Sequence, residues 1–301
     1  MSLCILCPGQ GSQTTDMLPR LLADELIAPH LLPSLTAMPF DALAVSKSSE
    51  LCFQNSHAQP LIVAVGAAVA HALKAQGIKA DLSAGYSIGE LTAHVVAGSL
   101  QALDGVGLAV KRTQCMDQAA PAAHGMMAVK GVRLEKLQAI AHEHGLAVAI
   151  VNDEQHAVLA GPTAVMKSIC KGMERELGAH VVHLNVQVPS HTAWLIDATV
   201  AYRNALQAAS WNNFECPVLS ALDGSPVEGR TEAIDCLARQ ISEPLNWART
   251  LDLAAEMGAT VYFEVGPGNT LSRMVRERFP NVKARSLSEF QTLEGALNWL
   301  N

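Results

Sequence analysis

Gly85-Tyr86-Ser87-Ile88-Gly89 is a GxSxG pattern that follows a short apolar run, Leu82 to Gly85, and precedes a helical run, Glu90 to Ala97. Glycine at both flanks removes Cβ atoms that would crowd a tight turn, so a serine at its apex can project its Oγ into a cleft. Ser87 is therefore a candidate nucleophile. The Ile88 N–H, at a helix start, could hold a developing oxyanion. The same letters also fit a plain glycine-rich turn. A serine hydroxyl is a poor nucleophile near neutrality and needs a base within hydrogen-bond reach. Of the eleven histidines, His191 stands out because Pro189-Ser190 precedes it and a helical pattern, Trp194, Leu195, Ala198, Ala201, follows it. Ser190 reads as an N-cap, which seats His191 in a first helical turn where the dipole favours neutral imidazole. By pattern alone a histidine merely hydrogen-bonded at a helix start is the better fit. Arg112 lies in an apolar stripe on a helix expected over 101–118, with Leu108, Ala109, Cys115 and Met116 as neighbours. Its guanidinium either snorkels to the surface or pairs, bidentate, with a carboxylate inside a cleft. Lys111, between Gly107 and Gln114 on that helix, reads as an ordinary solvated charge.

The elements that position these groups alternate between strand and helix. Leu3 to Cys7 leads into Pro8-Gly9-Gln10-Gly11, Leu82 to Gly85 into Tyr86-Ser87-Ile88-Gly89, and Val261 to Val265 into Gly266-Pro267-Gly268. Such junctions lie at the carboxyl ends of parallel strands, where ligands bind and residues distant in sequence meet. The middle stretch differs. Met126 to Gly131, Val148 to Val151, Ala157 to Gly161 and Val181 to Val188 are strand-like, with helical patterns near 133–144 and 163–177. That β-α-β-β-α-β order is the ferredoxin-like signature. The predicted fold class is α/β: a large domain with a mostly parallel sheet, from 1–123 and 189–301, carrying a small ferredoxin-like insertion at 124–188.

With 50% hydrophobic and 16% charged residues among 301, the chain can bury a large core, and disorder and fibrous repeats are excluded. Its longest apolar run, Leu61 to Ala70, falls short of the roughly 20 residues that span a bilayer and reads as a buried helix. MSLCILCPG has no basic segment ahead of its apolar stretch, so a cytoplasmic protein is expected. A net charge of −7 argues against nucleic acid as the main partner. The seven scattered cysteines fit reduced thiols, and Cys4 and Cys7, spaced CxxC within a strand-like run, read as core thiols rather than metal ligands. His142 and His144, two apart on a helical pattern, point away from one another and carry no metal expectation.

GQGSQ at 9–13, GYSIGE at 85–90, Arg112, VPSH at 188–191, RQISEPLNW at 239–247 and EVGPG at 264–268 occur together and in order. In this the chain resembles the malonyl-CoA:acyl carrier protein transacylases over essentially its whole length. The resemblance implies an α/β-hydrolase-like large domain, Ser87 as nucleophile with His191 as its base, and Arg112 as the site of the malonyl carboxylate. It also implies an oxyanion hole at the backbone N–H groups of Gln10 and Ile88, and a carbonyl near Gln240 that orients the histidine, so that a dyad suffices. Asn152 falls on an asparagine that borders the family's site, although the usual preceding asparagine is here Ile150. Two positions depart from the family pattern: Tyr86 replaces the usual histidine of GHSxGE, and Glu243-Pro244 replaces Asn-Pro. The GYSxGE variant and the short 14–18 segment are similar to the transacylase subunit of bacterial malonate decarboxylase, whose carrier bears a dephospho-CoA-derived thiol. The implied partners are malonyl-CoA, that carrier and possible further decarboxylase subunits, with the enzyme of fatty-acid or polyketide synthesis as the alternative. No metal or redox cofactor is called for. A GxSxG esterase and an idle carrier-binding subunit are the competing readings. Lys167, Lys171 and Arg175, spaced i, i+4, i+8, offer a basic stripe for a carrier, but a solvated helix face is the better fit.

Overall fold

The computed structural model describes residues 2–301. Its strands are β1 (Leu3–Cys7), β2 (Leu82–Gly85), β3 (His124–Lys130), β4 (Ala147–Asp153), β5 (His156–Pro162), β6 (His180–His183), β7 (Val218–Leu219), β8 (Pro226–Val227), β9 (Leu245–Asn246), β10 (Val261–Glu264) and β11 (Lys283–Ser286). The helices are α1 (Met17–Leu22), α2 (Ala28–Thr36), α3 (Ala42–Lys47), α4 (Asn55–Ala75), α5 (Gly89–Val96), α6 (Ala102–Ala119), α7 (Leu134–Glu143), α8 (Thr163–Leu177), α9 (Ile196–Ala208), α10 (Arg230–Arg239), α11 (Trp247–Glu256), α12 (Thr270–Arg278) and α13 (Leu293–Leu300).

A first sheet runs β11-β10-β1-β2-β7-β8 and is parallel except for the β7–β8 pair. Its central strand, LCILC, is buried along its whole length, as an uninterrupted apolar run in a parallel sheet requires. Because β1 pairs with both β2 and β10, the three turns that follow these strands lie side by side at the carboxyl edge. A second sheet runs β6-β3-β5-β4-β9 and is antiparallel apart from β4–β9. Together with α7 and α8 it follows the β-α-β-β-α-β order read from the sequence. One strand differs from expectation: β9 joins this sheet from residues 245–246, beyond the 124–188 segment.

Side-chain alternation divides the core. Leu3, Ile5 and Cys7 face α4 and its neighbours, whereas Cys4 and Leu6 face the other way. The two thiols of the CxxC spacing thus stand on opposite faces of β1. On the second sheet, Met127, Val129 and Leu159 pack under α7 and α8, and Met126, Ile150 and Val158 join Cys4, Leu6, Leu82, Ala84 and Trp247 in a cluster shared by both sheets. Each buried Leu, Ile, Val or Met among them contributes about 1.5–3 kcal/mol, so the shared cluster holds the sheets in a fixed relation.

Three boundaries differ from the sequence reading. The run Leu61 to Ala70 is the middle of the 21-residue α4, which is long and apolar enough to cross a bilayer by length and composition but is largely buried. Gln59 and His71 extend it past the apolar run. The expected strand over 181–188 ends at His183, and Leu184 to Val188 is irregular. The helix expected from Ser190 begins later, with a 3-10 turn over Ala193–Leu195 and then α9.

Candidate active site

Ser87 occupies the apex between β2 and α5 with φ +56°, a left-handed backbone that an L residue adopts only under constraint. The constraint is visible on both sides. Tyr86 N–H donates to the Cys7 carbonyl at 2.9 Å, and Gly89 N–H donates to the Tyr86 carbonyl at 3.0 Å. A Cβ on Gly85 would lie 2.2 Å from the Glu90 nitrogen, and one on Gly89 would lie 2.0 Å from the Cys7 carbonyl oxygen. The chain therefore passes so close to itself that only glycine fits at either flank of the serine.

The Ser87 Oγ lies 2.8 Å from His191 Nε2. His191 Nδ1 is hydrogen-bonded to the Gln240 carbonyl, which can only accept, so Nδ1 carries the ring proton and Nε2 presents its lone pair to the serine hydroxyl. This is the arrangement of a general base. Its cause differs from the one read in the sequence. His191 is not in a helical first turn: it has φ +64°, precedes the 3-10 turn, and is fixed by its own N–H to the Ile241 carbonyl at 2.8 Å. A helix dipole is therefore not what keeps the ring neutral. Burial pushes its pKa down to about 3, and the Arg112 charge adds to that, against a smaller opposing effect of the Gln240 bond.

Arg112, on α6, is 2% exposed and does not snorkel. Its Nη1 donates to Gln59 Oε1 at 2.7 Å, while Nη2 is buried with no partner among the described residues. Gln59, on α4, in turn donates to Gln10 Oε1 at 3.1 Å and to Asn55 Oδ1 at 2.6 Å. The sequence reading missed Gln59. The available signal was a glutamine two positions before the apolar run Leu61 to Ala70, and it is buried at 1% exposure. Among the described residues the N–H groups of Gln10 and Ile88 donate to no backbone acceptor outside the regular elements.

One buried acid borders this cluster. Glu90, in the first turn of α5, accepts the Ala221 N–H at 2.9 Å through Oε2 and leaves Oε1 without a partner. Burial raises its pKa to about 8, against smaller lowering effects of that bond and of Arg112. It is thus mostly protonated near neutrality and does not cancel the arginine's charge. Arg112 itself is lowered by burial to about 10 and stays cationic.

The remaining sequence candidates lie around this centre. Gln240 supplies its carbonyl to His191, and its own buried side-chain amide carries no protein hydrogen bond. Asn152, on β4, accepts from the Tyr86 hydroxyl at 3.1 Å. Glu243 forms a fork with Arg239 at 2.9 and 2.8 Å just past the end of α10, beside Gln240 rather than against the reacting groups. Lys167, Lys171 and Arg175 are all exposed along α8.

Comparison with known proteins follows the same pattern. The chain is similar to the malonyl CoA-acyl carrier protein transacylase of Bacillus subtilis (strain 168), at 28% identity over a 313-residue alignment that covers 99% of this chain and 97% of the relative. Its structure superimposes on the malonyl CoA-acyl carrier protein transacylase of Coxiella burnetii with a TM-score of 0.90 at 26% identity, covering 99% and 96% of the two chains. The crystal structure of MCAT from Mycobacterium tuberculosis gives the same TM-score, 0.90, at 27% identity with 100% of both chains covered. The family model described as the acyl transferase domain matches residues 5–291, and with that span matched the chain belongs to the acyl transferase domain family.

Proposed function

We propose that this enzyme moves malonyl from malonyl-CoA through a malonyl-Ser87 intermediate to the pantetheine-type thiol of an acyl carrier protein. His191 Nε2 takes the Ser87 proton as Oγ attacks the thioester carbonyl. The oxyanion that forms is held by the N–H groups of Gln10 and Ile88, and the CoA thiolate leaves with the proton from His191. The carrier's thiol then enters, gives its proton to the same nitrogen, and attacks the serine ester, which restores Ser87. Arg112 binds the malonyl carboxylate throughout.

The observation that carries the reading is the buried guanidinium of Arg112, with Nη2 unpartnered, in the same electrostatic environment as His191. An unpaired buried charge is costly, and a carboxylate on the acyl group relieves the cost. A plain esterase has no use for it. The relatives are named for an acyl carrier protein, so the general transacylase of fatty-acid or polyketide synthesis comes first. The carrier of malonate decarboxylase is the second acceptor, favoured by Tyr86 in GYSxGE.

The test offers malonyl-CoA with two carriers, one bearing phosphopantetheine and one bearing the dephospho-CoA-derived group, and follows carrier-bound malonyl against free malonate. Transfer to the phosphopantetheine carrier is expected. Preference for the other carrier assigns the enzyme to malonate decarboxylase. Release of free malonate without transfer to either carrier identifies a hydrolase and overturns the proposal.

A further inference from the structure

Tyr86 precedes Ser87, and the catalytic steps above give it no task. Its ring packs against the apolar cluster shared by the two sheets and meets Trp247 edge-on, with centroids 5.4 Å apart at 77°. Its hydroxyl donates to Asn152 Oδ1 at 3.1 Å, across 66 positions of sequence and from the first sheet to the second. Asn152 is 5% exposed, and its Nδ2 lies 3.3 Å from His156 Nε2 on β5, which turns the amide so that Oδ1 faces the phenol. The backbone of residue 86 is meanwhile held by Cys7 and Gly89. One residue is thus pinned by its main chain to the first sheet and by its side chain to the second. The left-handed serine comes next, and its hydroxyl must stay within hydrogen-bond reach of His191.

We propose that Tyr86 and Asn152 form a hydrogen-bonded strut that sets the nucleophile elbow against the second sheet, and that Tyr86 is thereby a positioning residue for Ser87. The inference rests on Ser87 being the nucleophile. Without the phenol oxygen, Asn152 Oδ1 loses its donor in a nearly buried place and the elbow loses its side-chain hydrogen bond to β4. The ring and its packing remain in Tyr86→Phe, so that variant removes the bond and little else. Small displacements of reacting groups cost rate steeply.

The test mixes malonyl-CoA rapidly with wild type, Tyr86→Phe, Asn152→Ala and the double variant. Intact-protein mass gives both the rate constant and the final stoichiometry of malonyl-Ser87. Each single variant is expected to be slowed about tenfold at full final stoichiometry, and the double variant to be slower than Tyr86→Phe by less than about twofold. A role confined to fold stability lowers the fraction of enzyme ever acylated and leaves the rate constant of the remainder unchanged, which would overturn the proposal. Asn152→Ala breaks the same bond from the other end and reads it if Tyr86→Phe does not accumulate. A wild-type rate in the single variants, or multiplied losses in the double, also overturns the strut while leaving the function intact. If wild-type enzyme never forms malonyl-Ser87, the function falls and the strut's role with it.

Discussion

Arg112 holds a positive charge in a buried place, with one hydrogen bond to Gln59 and none to a carboxylate among the described residues; the nearby Glu90 is mostly protonated. A malonyl group supplies the missing anion; an acetyl group leaves Nη2 unpaired at a cost of about 1–3 kcal/mol. Arg112→Ala is therefore expected to lose malonyl transfer and to reduce the malonyl-over-acetyl preference by about tenfold or more, since about 1.4 kcal/mol is a factor of ten. Competition kinetics with the two CoA esters measures it, and an unchanged preference would contradict the carboxylate role. His191 makes a second prediction at this scale. Its pKa is pushed down to about 3 by burial first and Arg112 second, so the free enzyme's base form is already complete well below the ordinary histidine value. The malonylation rate should show no inflection near pH 6.5, and a rate that falls through that region would place the imidazole in contact with solvent. The sign for stability follows. The unfolded chain takes up a proton that the native imidazole refuses, so this group's contribution is lost as pH falls from 6.5 toward 3.

The elbow is the element on which these residues depend, and its sequence signal was strong because sterics leave no other choice. Two glycines around a serine after an apolar run are what a self-approaching strand-to-helix turn requires, and a Cβ on Gly89 would meet the Cys7 carbonyl oxygen at 2.0 Å. Gly89→Ala cannot be relieved by moving a flexible side chain, so it should cost about 3 kcal/mol or more in urea unfolding. A variant of wild-type stability and activity would contradict the close approach. The histidine's element was legible only in part. Ser190 looked like an N-cap, yet the following residues enter a 3-10 turn two positions later, and His191 is set by the Ile241 and Gln240 carbonyls instead. A backbone carbonyl as partner leaves no side-chain signature, which is why only the family resemblance pointed to Gln240. Arg112 was legible as an anomaly, a charge within an apolar stripe, but its hydrogen-bond partner on another helix was not.

Over the whole molecule, the alternation of strands and helices and the β-α-β-β-α-β segment were readable because each has its own hydrophobic period. What joins them was not. The two-residue β9 is too short to carry a period, and the core shared by Cys4, Met126, Ile150 and Trp247 draws on segments far apart in the chain. That packing brings α4, α6, the elbow and the His191 loop to one edge of the first sheet, so that Ser87 and His191 meet at 2.8 Å although 104 positions separate them. Convergence of the two groups with Arg112 is the claim on which the function rests. Its most direct test treats wild type, Ser87→Ala and His191→Ala with malonyl-CoA and maps the adduct by mass spectrometry. A malonyl ester on Ser87 in wild type, absent from Ser87→Ala and strongly slowed in His191→Ala, is the expected result. Malonyl transfer to a carrier that persists in Ser87→Ala, or an adduct on another residue, would contradict it.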